Sequence, residues 1–202
     1  MKAVRVITGR AVPLDRPDVD TDQIIPSDWL KRVERTGFGA GLFSEWRDDR
    51  SFVLNDERYA GATILLAGPN FGIGSSREHA VWALQDYGFE AVVAPRFGDI
   101  FRNNAVKQGL LPVQVDPELA RALLDAVASD ATLEITIDVA RGTIEAPAAG
   151  LEGAFPLEPF VRERLLNGWD DIGLTLRYED AIDRYEAARP SWLPATSGAA
   201  PA

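Results

Sequence analysis

The sequence predicts an α/β fold in which a parallel β-α-β core is extended by antiparallel strands. Two continuous apolar runs, ATILLAGPN at 62–70 and EAVVAPRF at 90–97, read as buried strands. Between them SSREHAVWALQDYG, 75–88, reads as a helix closed by Gly88. Strand, helix and strand within roughly thirty residues call for a right-handed crossover and parallel pairing. Further along, TLEITIDVARGTIEA at 132–146 alternates strictly and turns at Arg141-Gly142, the pattern of an antiparallel hairpin.

The other elements follow in order. KAVRVITGRAVPL, 2–14, alternates as one strand or two, and LDRPDVDTDQIIP, 14–26, is an acidic, turn-rich segment whose closing Pro26 favours extended backbone before it. SDWLKRVERTGFGAGLFSEWRDD, 27–49, starts as a helix capped by Ser27 or Asp28 and breaks at Gly37, Gly39 and Gly41. Its Trp29, Phe38, Phe43 and Trp46 suit either the core, or a mobile loop or partner-facing surface. DIFRNNAVKQG, 99–109, is a short helix ended by Gly109, and LLPVQV, 110–115, a further strand. PELARALLDAVASD, 117–130, is an amphipathic helix opened by proline, with Leu119, Leu123, Leu124 and Val127 on one face. FPLEPFVRERLLNG and RYEDAIDRYEAARPSW supply two more helices. Residues 1–190 are expected to form a single domain, and 191–202 a flexible tail.

Composition excludes whole classes of chemistry. A chain of 202 residues, 46% hydrophobic, can bury one sizeable core. No run of about 18 apolar residues offers a membrane span, and the start offers no signal peptide, so a cytoplasmic location is expected. Zero cysteines rule out disulfides, thiolate catalysis and any iron–sulfur or zinc–thiolate site built from this chain alone. One histidine rules out a multi-histidine metal site and leaves only an all-oxygen site for magnesium or calcium. A net charge of −10 argues against nucleic acid as a partner.

The chemistry concentrates in GPNFGIGSSREHAVWALQDYG, 68–88. Ser75 or Ser76 with nearby Glu78 can be read as a helix cap. Three features point instead to an anion site: Gly72 and Gly74 leave backbone amides uncovered, Arg77 can fork onto a carboxylate, and β-α junctions are where open α/β sheets hold ligands. Familiar phosphate and nucleophile motifs fail. The Walker lysine is missing after Gly74, arginine stands where GxGxxG needs its third glycine, and no GxSxG elbow is present. His79, four residues after Ser75, is badly placed for a Ser–His pair and reads as structural.

GSSREHA after an apolar strand, DTDQIIP near the start and FRNNAVKQGLLPV after the next strand resemble the aconitase superfamily, in particular its C-terminal swivelling domain. RTGFGAGLFSEWR and IDRYEAARPSWLP narrow the resemblance to the small-subunit family of 3-isopropylmalate dehydratase, over about residues 3–194. The resemblance implies a layered β/β/α swivelling domain. It implies a hydro-lyase of leucine biosynthesis that isomerises 2- and 3-isopropylmalate by dehydration and rehydration, and works only with a large subunit that holds a [4Fe-4S] cluster. No cofactor or metal is expected on this chain itself. By the same resemblance Ser75 is the catalytic base, and Ser76 and Arg77 contact substrate. Thr21 and Asp22 match the DTD segment and are candidates to bind substrate or orient the serine; an Asx-type turn is the plainer alternative. Asn104 matches a family asparagine, against a reading as helix surface. Leu30, Lys31, Val33 and Arg35 are candidates from a loop that meets the substrate's side group. Two other functions fit the residues: a related dehydratase acting on a dicarboxylate such as homoaconitate, citraconate or a methylmalate, and a non-catalytic carboxylate-binding module.

Overall fold

Alternation in VITGRAVPL produces one nine-residue strand, β1 (Val6–Leu14), whose Ile7, Ala11, Val12 and Leu14 are buried. In this computed structural model, which describes residues 1–32, 36–190 and 192–193, β1 is the hinge of the sheet. On one side it pairs in parallel with β2 (Ile64–Ala67), followed outward by β3 (Ala91–Ala94) and β4 (Leu111–Gln114). On the other it pairs antiparallel with β5 (Glu134–Asp138), then β6 (Thr143–Ala146) and β7 (Leu151–Ala154). The result is a seven-stranded mixed sheet of order β4-β3-β2-β1-β5-β6-β7.

The expected β-α-β unit is present, and its strands β2 and β3 are buried along their whole length. Two short helices, α1 (Thr21–Ile24) and α2 (Ser44–Arg47), lie between β1 and β2. The crossovers are α3 (Glu78–Tyr87), closed by Gly88, and α4 (Asp99–Gln108), closed by Gly109; both glycines are left-handed. The two crossovers step the same way across the sheet, which places α3 and α4 side by side on one face. From β4 the chain returns through α5 (Pro117–Ser129), with Ala120, Leu123, Leu124 and Val127 inward. Helix α5 packs against β1, β2, β3 and also β7, so the antiparallel half curls over it. Gly153 in β7 lets the Leu119 side chain lie close against the strand, where a Cβ would force that side chain to move.

Local expectations are corrected at several points. The helix after the serines starts at Glu78, not Ser75, since Arg77 has extended backbone. The segment after Pro26 makes only a 3-10 turn, Ser27–Lys31, without a side-chain cap from Ser27 or Asp28. Phe38 and Phe43 are fully buried, and Trp29 and Trp46 pack on the core, so these aromatics belong to this chain's own interior. Strand β7 is a further element, as is α7 (Asp171–Leu176), which lies between α6 (Pro159–Asn167) and α8 (Glu179–Ala187). Most of the tail, 191 and 194–202, lies outside the described residues.

Candidate active site

Parallel strands β1, β2 and β3 deliver three loops to the C-terminal edge of the sheet, the position at which such sheets bind ligands. The loops are stitched together by main-chain hydrogen bonds. Asp18 N–H donates to Pro69 O at 2.8 Å, Gly72 N–H to Val19 O at 2.7 Å, and Thr21 N–H to Ile73 O at 2.9 Å. The third loop joins through Phe71 N–H to Arg96 O at 3.0 Å and Gly98 N–H to Phe71 O at 2.9 Å. Asn70 Nδ2 reaches Asp18 Oδ1 at 2.7 Å. Gly72 is indispensable, with φ of +73° and a Phe101 ring where a Cβ would go.

Side chains complete the seam. A short helix, α1 (Thr21–Ile24), begins beside the serine loop. Asp20 caps it by accepting from Gln23 N–H, while Gln23 Oε1 accepts from Asp20 N–H, so the turn is organised by Asp20 rather than Asp22. Thr21, only 2% exposed, donates Oγ1–H to the carbonyl of Ser75 at 3.0 Å. Asp22 is ion-paired with Arg77. The structure therefore brings Thr21, Asp22, Ser75, Ser76 and Arg77 together at one strand edge. Ser75 and Ser76 are exposed, and the Arg77 side chain is 17% exposed.

The cap reading of the serines is overturned. Arg77 holds the capping position of α3 without a side-chain bond, and both serines precede it in the loop. The first helical amides thus lie beyond Arg77, and the charged group nearest the hydroxyls in sequence is the guanidinium. His79 packs edge-on to Phe38 at 5.3 Å and against Trp82 at 4.6 Å, which agrees with a structural role. Gly39 N–H donates to Asp86 Oδ2 at 2.9 Å, fixing the aromatic segment on α3.

Other candidates are more scattered. Leu30 is half-buried, and Lys31 is exposed and paired with Asp28 at 3.0 Å. Val33 and Arg35 lie outside the described residues. Asn104 is not a plain surface residue: its Nδ2 is buried and has no hydrogen-bond partner among the described residues. Among those residues no group of three or more His, Asp or Glu side chains is arranged to hold a metal ion, and the chain has no cysteine.

Comparison with known proteins assigns the family. Residues 1–118 match the aconitase C-terminal domain, and 171–199 match the C-terminal domain of the 3-isopropylmalate dehydratase small subunit. The chain is 64% identical over 198 residues to the 3-isopropylmalate dehydratase small subunit of Frankia casuarinae, covering 98% of this chain and 100% of that one. The chain belongs to the 3-isopropylmalate dehydratase small-subunit family. The family member from Rubrobacter xylanophilus is 56% identical, with 96% and 98% of the two chains covered. A solved 3-isopropylmalate dehydratase from Methanocaldococcus jannaschii DSM2661 superposes with a TM-score of 0.66 at 25% identity, over 89% of this chain and 98% of that one. The small-subunit fold is thus shared across distant relatives, and all three stitched loops fall in the part matched to the aconitase domain. The small-subunit match at 171–199 spans α7 and α8, outside that part.

Proposed function

We propose that this chain is the small subunit of a hydro-lyase that interconverts 2- and 3-isopropylmalate in leucine biosynthesis, with Ser75 as the base. The observation that carries the reading is the seam holding an exposed Ser75 next to Arg77 in a chain of this family. The proton to be removed lies beside a carboxylate and is weakly acidic, so the base must be strong. A serine alkoxide is unfavourable in water, and a guanidinium held in place without reorganisation favours both the alkoxide and the carboxylate-bearing substrate. Asp22 engages one terminal nitrogen of Arg77, and a guanidinium has five N–H donors, which leaves donors to fork onto a substrate carboxylate. Thr21 and Asp22 act as positioning residues, the first on the Ser75 main chain and the second on Arg77. Ser76 offers a second hydroxyl to the substrate.

The residues present give this chain no ligand set for an iron–sulfur cluster. In this reading a [4Fe-4S] cluster belongs to a large subunit, and its Lewis acidity serves the departing hydroxide. The pair works in the cytoplasm, on a small dicarboxylate, without nucleic acid or membrane. The test is reconstitution with a large subunit, followed by turnover on 2-isopropylmalate, homoaconitate, citraconate and a methylmalate. Isopropylmalate is expected to be preferred, and the isolated chain to be inactive. Turnover by the isolated, metal-stripped chain would refute the two-subunit reading, and a better rate on another dicarboxylate would reassign the substrate.

A further inference from the structure

A second cavity lies away from the serine loop, between α4, the edge strand β4 and α6. It encloses about 290 Å³. Its wall carries three cationic side chains, Arg102, Lys107 and Arg164, against one carboxylate, Glu158. Counting Asp171, which is ion-paired with Arg164, the cations exceed the carboxylates by one, in a chain of net charge −10. Arg164 is the unusual member. It is 6% exposed, its Nη2 is 2.8 Å from Asp171 Oδ1, and its buried Nε has no hydrogen-bond partner among the described residues. A buried charged donor without an acceptor is costly to maintain, and such groups call for an explanation. Apart from Asn103, the remaining wall is apolar, with Val106, Pro112, Leu157, Phe160 and Val161; Phe160 is 58% exposed.

We propose that this cavity is a second ligand site, for a small carboxylate with an aliphatic body. The carboxylate would be held by Arg164, with Lys107 and Arg102 contributing charge. The aliphatic body would lie against Val106 and cover the exposed Phe160. Cations in a concave, partly apolar wall attract such a ligand more strongly than an exposed cluster does. The site does not involve Ser75 or Arg77, so it is independent of the catalytic reading.

The test is calorimetric titration of the full chain with 4-methylpentanoate, 4-methylpentan-1-ol and inorganic phosphate. The carboxylate is expected to bind, the alcohol and phosphate to bind at least about tenfold more weakly, and Ser75→Ala, which is expected to impair turnover, to leave this binding unaltered. Lys107→Glu, on an exposed side chain, and Val106→Trp, which fills the cavity, should each weaken binding by about tenfold or more. Both variants can be checked for folding by their melting curves, which avoids reliance on buried Arg164. No binding of 4-methylpentanoate at millimolar concentration would overturn the proposal. So would equal binding of phosphate, binding indifferent to both substitutions, or binding lost on adding the large subunit, which would make this face an interface with that partner.

Discussion

Thr21 Oγ1 donates to the main-chain carbonyl of Ser75 across 54 residues of sequence, and so fixes the backbone from which the Ser75 hydroxyl projects. Thr21→Val keeps shape and removes the donor. The main-chain bond from Thr21 N–H to Ile73 O is retained, so the loss of stability should be about 1 kcal/mol. Turnover should fall by about tenfold or more, because small misplacements of a reacting group are costly. Thr21→Ser should restore most of it. A lowered melting temperature with unchanged kcat would reduce Thr21 to a purely structural role.

Ser75→Ala separates base from scaffold more sharply than a capping serine would allow. The Ser75 hydroxyl caps no helix, so unfolding free energy should change by less than about 0.5 kcal/mol. Turnover in the reconstituted enzyme should drop by roughly 10²–10⁴-fold, with substrate binding largely kept. Exchange of the substrate's abstracted proton with solvent should vanish too. Near-normal turnover and exchange would move the base to Ser76.

Arg77→Lys keeps the charge and loses the planar fork. KM for isopropylmalate should rise and kcat fall, with the melting temperature nearly unchanged. Asp22→Asn should produce a milder form of the same phenotype, since it frees Arg77 without removing it. If both variants matched the parent, the ion pair would be a surface contact without catalytic consequence.

A pH-dependent contribution to stability is expected from the other end of the β1 loop. Asp15 accepts two hydrogen bonds from Arg121 on α5, at 2.7 and 2.6 Å. These bonds, aided by the nearby positive charge and opposed by partial burial, hold the Asp15 carboxyl below its ordinary value. A depressed carboxyl stabilises the fold above its unfolded value, about 3.9, and this contribution fades as pH falls through the folded value. Arg121→Met should therefore lower the melting temperature at neutral pH by a small amount, given the exposure of both side chains. The difference should start to shrink once pH falls below about 4; a gap that did not change with falling pH would point to packing instead.

The parallel core is legible in the sequence because β2 and β3 are uninterrupted apolar runs and α3 and α4 end at left-handed glycines. Strand β7 is not. LEGA has neither a continuous apolar run nor β-branched residues, and only its pairing with β6 makes it a strand. The start of α3 is displaced from its expected place for a related reason. Local propensity favours a serine cap, but the bonds of 69–77 to residues 18–22 hold the serines in a loop. The site is half legible: the glycines, serines and Arg77 point to an anion by themselves. That Thr21 and Asp22 stand beside them is a matter of sheet topology, which no spacing in the sequence encodes.

The seam at the strand edge also bears on the order in which the molecule assembles. Residues 18–22 and 69–77 meet only after the long excursion between β1 and β2 has closed, whereas α4 and the β5–β6 hairpin rest on nearby contacts. Closing a long loop costs chain entropy before its contacts repay it. The serine loop should therefore acquire its native shape late in folding and be among the first parts to open. Amide exchange offers a direct reading: the Thr21 and Gly72 protons, which cross the seam, should exchange faster than those of β3 and β4. Such a loop would reach its working shape only in a fully folded protein, which would keep the base proposed at Ser75 from forming in a half-built one.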